Sequence, residues 1–238
     1  MLEQIRPEKV LFLDIETAPE KANYTDLSSV TQAFWEKKSL QFRKEGQTAK
    51  EVYQRAGIYS EFGKIICISF GILYVKDGCR HVRIKSIYND DEKRILIEFA
   101  QLLSKLNTLN DLLLCAHNGK EFDFPYISRR MLIHGIGIPS ILNVAARKPW
   151  ETPFLDTMEM WKFGDHKHYT SLDLLTHIFN IPSPKTDIDG SQVAEVYWIQ
   201  NDLERIARYC QNDVLAIVQL FLKFRNEDTI SPEKVEFK

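Results

Sequence analysis

Val10-Leu-Phe-Leu-Asp-Ile-Glu-Thr17 decides how the chain is read. Its first half, Val10–Leu13, is apolar and rich in β-formers, and reads as a buried strand. In its second half Asp14 and Glu16 flank Ile15. Residues i and i+2 of a strand point to one face, so the two carboxylates converge while Ile15 points away. Two carboxylates at the end of a buried strand are costly unless something positive compensates them. Divalent cations, which take oxygen ligands, are the natural compensation. The same residues also fit a strand that simply ends in a polar turn.

Outward from this strand, residues 20–60 break the β pattern and are rich in Lys, Glu and Gln. Thr31–Lys44 and Thr48–Arg55 look helical, which predicts a helical insertion after the first strand. Lys64–Leu73 is the strongest strand signal, Asp77-Gly78 marks a turn, and His81–Tyr88 alternates as the next strand. Three strands so close together imply an antiparallel start to the sheet. Asp91–Leu106 then has helical periodicity, with Ile95, Phe99, Leu102 and Leu103 on one face, and Leu112–Ala116 is another buried strand. Further helices are expected at Phe124–His134, Ser171–Phe179 and Ser191–Gln200. A last long one runs from Leu203 to Arg225, where Ile206, Cys210, Val214, Ile217 and Phe221 recur at three and four. This order predicts an α/β fold: a mixed sheet, three antiparallel strands and then parallel ones, with flanking helices.

At 238 residues the chain fits a single domain spanning 1–238. Lys and Arg total 31 against 33 Asp and Glu, a formal charge of −2, which excludes a protein coated with positive charge for nonspecific DNA binding. The four cysteines form no C-x-x-C pair. Cys67, Cys115 and Cys210 lie in apolar runs and read as small buried hydrophobes, which favours a reducing, cytoplasmic setting. The N-terminus lacks the shape of a signal peptide. No segment reaches the roughly 20 apolar residues that span a bilayer, so no membrane partner is expected.

Two further acidic signals stand downstream. Ala116-His-Asn-Gly-Lys-Glu-Phe-Asp123 follows an apolar strand and precedes a helix, which places Asp123 near a strand's C-terminal end, where open α/β sheets bind ligands. Asp123 before Phe124-Pro125 also reads as a helix cap. In Tyr209-Cys-Gln-Asn-Asp213 the i, i+4 spacing puts Tyr209 and Asp213 on one helical face beside the apolar stripe, although a surface Asp fits as well. Arg129-Arg130 offers phosphate ligands or a solvated helix face. His166 and His168 read as a solvated loop, and Lys167 and Lys185 are weak phosphate candidates.

Taken together, D-x-E on the first strand, N-G-x-x-F-D after a later strand and Y-x-x-x-D on the last helix resemble the DEDDy 3′→5′ exonucleases of the ribonuclease-H-like superfamily. The likeness is greatest to the proofreading exonuclease domain of family B DNA polymerases and its stand-alone relatives, and it runs from Val10 to about Phe224. Glu61-Phe-Gly-Lys64, Ser171-Leu-Asp173 and Lys185-Thr-Asp-Ile-Asp-Gly190 agree with it, while the Lys21–Ser60 region departs from the compact pattern. The resemblance implies hydrolysis of phosphodiester bonds from the 3′ end of single-stranded DNA or RNA. It implies two ions, Mg²⁺ or Mn²⁺, held by Asp14, Glu16, Asp123 and Asp213. Two cations about 3.5–4 Å apart clamp the attacking and leaving oxygens. Tyr209 is then expected to orient the attacking water, and Ile15, Thr17, Asn118 and Phe122 to contact the terminal nucleotide, with Phe122 equally readable as core. The alternatives are a silent nucleic-acid-binding module of the same fold, an RNA-processing exonuclease, and a phosphohydrolase of another substrate. A polymerase or repair partner stays open.

The charge balance generates a test. Single-strand binding loses affinity with a log–log salt slope of about −0.7 per neutralised phosphate, so two or three such contacts give a slope near about −2. Measured with a carboxylate variant at fixed cation concentration, a slope steeper than about −5 would reveal an extended basic groove.

Overall fold

The computed structural model describes residues 2–106, 111–165, 169–182 and 187–238. His166, Lys167, His168 and Lys185 lie outside these residues. Six strands form one mixed sheet in the order β5-β4-β1-β2-β3-β6: β1 Val10–Pro19, β2 Gly63–Lys76, β3 Cys79–Tyr88, β4 Leu113–Ala116, β5 Phe154–Asp156 and β6 Val235–Phe237. β1, β2 and β3 are antiparallel, whereas β4 runs parallel to β1, β5 to β4 and β6 to β3. The helices are α1 Ser29–Ser39, α2 Glu92–Leu106, α3 Asp123–Ile133, α4 Thr157–Lys162, α5 Leu172–Ile178, a short α6 Val193–Glu195 and α7 Leu203–Phe224.

The alternation of β1 divides the core. Leu11, Leu13 and Ile15 pack with α2 and α3 through Phe99, Leu103, Phe124 and Ile127. Val10 and Phe12 face α7, where the Phe12 and Phe221 rings meet edge to face at 5.2 Å. α7 lies close to the sheet because β2 carries Gly71 beneath it: a Cβ there would stand 3.0 Å from Val214 Cγ1 and 3.2 Å from Ile84 Cγ1. The β2–β3 hairpin closes through Asp77 (φ 51°) and Gly78 (φ 72°). Two positive φ values are what a two-residue turn matched to strand twist requires, and an Asp-Gly pair supplies them.

The insertion is less helical than its sequence predicts. α1 stops at Ser39, and Thr48–Arg55 forms turns that lead into a 3₁₀ segment, Tyr53–Ile58. Tertiary packing overrides local propensity here. Trp35 is fully buried and donates its indole N–H to the Ala49 carbonyl (2.9 Å), while Phe42 stacks on Tyr59 and Phe62 meets Trp35 edge to face at 5.2 Å. The expected helix at Ser191–Gln200 is α6 followed by a π-helical turn, Val196–Gln200, which ends at Asn201 with φ 54°. No helix among the described residues is long and apolar enough to cross a membrane.

Arg130 does not lie on a solvated helix face, as one reading of its sequence had it. It is buried and binds Glu92 through Nε (2.8 Å) and Nη2, and it donates to the Ser60 carbonyl (2.9 Å). Glu92 also accepts the Ile65 amide (2.7 Å). This ion pair ties α2, α3, the insertion and β2 together around one buried carboxylate. Arg130→Ala takes the guanidinium from that buried carboxylate and leaves it only the Ile65 amide and His134 Nε2 (2.7 Å), a loss of up to about 3–5 kcal/mol. Urea unfolding should register that loss for Arg130→Ala and almost none for the exposed Arg129→Ala; equal effects would contradict the network.

Candidate active site

Strand pairing opens the site. β4 pairs with β1 only over Val10↔Leu113, Leu11↔Leu114 and Phe12↔Cys115, and after Ala116 the chain bends away. The edge of β1 beyond Phe12 is thereby left without a strand partner on that side. A buried amide must find an acceptor, and the Ile15 N–H donates to Asp123 Oδ1 at 3.1 Å. Asp123 occupies the first residue of α3, so one hydrogen bond brings the second acidic motif to the end of the first. Asp14 and Glu16 project to the opposite face from Ile15, toward α7, where Cys210 donates its thiol to Asp14 Oδ2 (3.3 Å). The Tyr209 hydroxyl, one helical turn before Asp213, hydrogen-bonds that carboxylate.

Asp14, Glu16, Asp123, Tyr209 and Asp213 line one cleft of about 500 Å³ together with Ile15, Ile58, His117, Asn118, Phe122, Tyr169, Leu172, Asp173 and Gly190. Its lining holds the five carboxylates Asp14, Glu16, Asp123, Asp173 and Asp213, and no Lys or Arg among the described residues. Burial raises Asp14 well above the ordinary carboxylate range, helped by the negative charges of Asp123 and Asp213. It raises Glu16 likewise, with Asp14 and Asp213 adding to it. Asp123 is pushed up to about 7 by burial, against the opposing amide bonds from its own backbone and from Ile15. Asp213 is also pushed up to about 7 by burial, against the hydroxyl of Tyr209. Burial and the neighbouring charges of Asp213, Glu16 and Asp14 raise the Tyr209 phenol far above its ordinary value, so it stays a neutral donor.

A set of carboxylates without a cationic partner, with Glu16 and Asp123 buried and Asp14 and Asp213 half-buried, fits hard divalent cations, whose ligands are oxygens. Among the described residues, Asp14, Glu16 and Cys210 offer ligand atoms that all lie within 4.8 Å of one another. The loop that carries Asn118 is built around a second buried carboxylate. Asp156, the N-cap of α4, accepts the amides of Asn118 (2.9 Å), Lys120 (3.1 Å), Met158 (2.9 Å) and Glu159 (3.3 Å). Asn118 sits at φ 60°, and its side-chain carbonyl is buried with no donor among the described residues. Gly119 is obligatory in this loop, because a Cβ would stand 2.4 Å from that of Ala116. His117 donates from Nε2 to the Thr170 carbonyl (2.9 Å) and accepts the Thr157 hydroxyl at Nδ1 (2.9 Å), and burial lowers its pKa, so it is neutral.

Two expected substrate contacts fall differently. Phe122 both lines the cleft and packs on the core, with its ring tilted against Tyr126 at 5.4 Å. Thr17 shares the strand face of Ile15 rather than that of Glu16. Its side chain reaches the Tyr126 hydroxyl, which itself donates to the Gly57 carbonyl (2.8 Å). Asp173 is legible in sequence only within Ser171-Leu-Asp173, a helix start that agrees with the family resemblance, and Tyr169 and the buried Asp156 carry no signal, since each is brought here by a crossover that local sequence does not encode.

The chain's residues 58–236 match the model of a family described as a predicted 3′-5′ exonuclease related to the exonuclease domain of PolB. That span includes Asp123, Tyr209 and Asp213, while Asp14 and Glu16 precede it. No curated protein matches the chain in sequence. Among solved structures, its fold is similar to that of the family B DNA polymerase from the hyperthermophilic archaeon Pyrobaculum calidifontis, with a TM-score of 0.53 at 16% identity. The similarity covers 90% of this chain and 24% of the polymerase, so this chain corresponds to about a quarter of that protein.

The raised carboxylates make stability depend on pH. A folded pKa near 7 for Asp123 and Asp213 means that the folded chain holds protons which the unfolded chain has already lost. Metal-free stability therefore falls as pH rises from about 4 to about 7. Thermal melts should show this decline, and added Mg²⁺ or Mn²⁺ should raise Tm more at pH 8 than at pH 5. Equal stabilisation at both pH values would contradict the cluster.

Proposed function

The chain belongs to the family of predicted 3′-5′ exonucleases related to the exonuclease domain of PolB, and from that premise we propose that it removes nucleotides from the 3′ end of single-stranded DNA. The observation that carries this reading is the cleft itself: five carboxylates and, among the described residues, no cationic side chain. Such a surface repels a phosphodiester unless cations stand between them.

Asp14, Glu16, Asp123 and Asp213 would hold two divalent ions, Mg²⁺ or Mn²⁺. When bound, these supply charge neutralisation, an activated water and stabilisation of the leaving oxygen. The residues of the chain do the rest. The Ile15 amide donates to the Asp123 carboxylate and fixes its orientation, and the Asp14 carboxylate is oriented by the Cys210 thiol. Tyr209 remains protonated throughout the physiological range, so it acts as a donor that orients the nucleophilic water rather than as a base. Asn118 presents an amide with an unsatisfied carbonyl toward the terminal nucleotide, and Phe122 offers a half-buried ring against which a base or sugar can pack.

Incubation with 3′- and 5′-labelled DNA and RNA strands in Mg²⁺, Mn²⁺ or EDTA tests the proposal. A ladder shortening from the 3′ end of DNA, abolished by EDTA, is expected; release from the 5′ end, or no hydrolysis in either metal, would overturn it. Asp14→Ala, Glu16→Ala, Asp123→Ala and Asp213→Ala should each nearly abolish hydrolysis in folded protein. Tyr209→Phe should slow it by about 10²-fold or less while leaving Mn²⁺ affinity unchanged. If affinity fell in parallel with rate, Tyr209 would be a structural residue.

A further inference from the structure

In the reaction proposed above the Cys210 thiol only orients Asp14, yet it lies inside the carboxylate cluster and offers a ligand atom in its own right. The β-bulge between Glu16↔Cys67 and Thr17↔Ile65 turns both Ile66 and Cys67 toward α7. Cys210, fully buried on α7, therefore meets the Cys67 thiol on one side and Asp14 on the other, with its Sγ 3.3 Å from Asp14 Oδ2. Glu16 completes the group. It is 8% exposed, lines the cleft, and has no hydrogen-bond donor among the described residues. It is thus a nine-tenths-buried carboxylate that lacks a partner.

We propose that Asp14, Glu16 and Cys210 form a three-ligand site for a thiophilic divalent cation of the Zn²⁺, Cd²⁺ and Co²⁺ class. The inference rests on reading the cluster as a cation centre. The spacing fits a tetrahedral ion: bonds of about 2.3 Å to sulfur and about 2.0 Å to oxygen set a sulfur–oxygen edge of about 3.5 Å, close to the 3.3 Å between Cys210 Sγ and Asp14 Oδ2. All three ligand atoms lie within 4.8 Å of one another, so capture requires only small side-chain adjustments. Ligand chemistry sets the selectivity. Mg²⁺ takes oxygens and gains nothing from sulfur, whereas Zn²⁺ and Cd²⁺ are bound strongly by thiolate. On capture the S–H bond breaks, the sulfur–cation bond forms and the proton leaves to solvent, with no change of oxidation state. A cation so held takes Asp14 and Glu16 away from the hard ions, so it antagonises Mg²⁺-supported hydrolysis.

The test uses the full chain in a Cys79→Ser background, since Cys79 is exposed and would bind the probes by itself. Titration with Cd²⁺ or Co²⁺, without nucleic acid, should produce a thiolate-to-metal charge-transfer band that saturates at one equivalent and is displaced by Zn²⁺. Adding Cys210→Ser should remove the band and raise the Zn²⁺ concentration that halves Mg²⁺-supported hydrolysis by about tenfold or more. Asp14→Asn, with the thiol intact, should keep the band but weaken Cd²⁺ binding by a similar factor. Absence of the band, its survival in Cys210→Ser, or Cd²⁺ affinity unmoved by Asp14→Asn would each overturn the proposal. The two readings fail separately: a saturating band in a protein that hydrolyses no strand would overturn the nuclease and leave the thiolate site standing.

Discussion

The separation of β4 from β1 after Phe12 is the constraint on which the site depends. A central strand that loses its neighbour on one side exposes backbone donors in the interior, and such donors must be satisfied. Here the Ile15 amide is satisfied by the Asp123 carboxylate rather than by another strand. That exchange does two things at once. It closes the hydrogen-bond account of β1, and it draws the first turn of α3 to the point where Asp14 and Glu16 emerge. The loop between β4 and α3 is then held open by Asp156, whose bonds to the Asn118 and Lys120 amides replace the pairing that β4 no longer makes, while its other two cap α4. Both carboxylates act as backbone acceptors in place of a strand, which is why a cleft rather than a continued sheet lies at this end.

The parts of the fold legible in the sequence are those whose signal exceeds one turn or one alternation. β2 and α7 carry long periodic runs, and the Asp77-Gly78 turn has a backbone requirement that few residue pairs meet. β5 and β6, three residues each, were invisible because no window that short holds a period; they exist because β4 and β3 offer edges that need covering. The second helix expected at Thr48–Arg55 was lost to the aromatic cluster around Trp35, a burial term that local propensity does not register. For the candidate site, strand parity alone put Asp14 and Glu16 on one face, and helical spacing alone put Tyr209 beside Asp213. The same parity separates Thr17 from them. Arg130 was unreadable in another way: its partner Glu92 lies 38 positions away, and a buried ion pair looks in sequence like two surface charges.

The walls of the cleft are fixed by neutral or fully paired groups, and its floor by carboxylates with no cationic partner among the described residues. His117 illustrates the first. A histidine near several carboxylates ordinarily gains a proton, but burial opposes the charge, and the Thr170 carbonyl and Thr157 hydroxyl together accommodate the neutral tautomer. It thus fastens the segment bearing Tyr169 and Asp173 to the Asn118 loop without adding a cation to the site. A positive side chain in that place would neutralise the floor permanently and leave less reason for an exchangeable ion.

The same reasoning accounts for a phenol, rather than an imidazole, at position 209. The neighbouring charges of Asp213, Glu16 and Asp14 stabilise any cation and destabilise any anion. An imidazole among them would be driven toward its protonated form, pairing with Asp213 and competing with a metal ion for that carboxylate. A phenol has no cationic form, and the field that would protonate an imidazole only raises the phenol's pKa further. Tyr209 can therefore hydrogen-bond Asp213 or a water at any physiological pH without changing the charge of the floor. The acidic cluster itself selects the neutral donor, and the selection follows from the density of carboxylates that β1, α3 and α7 bring to one point.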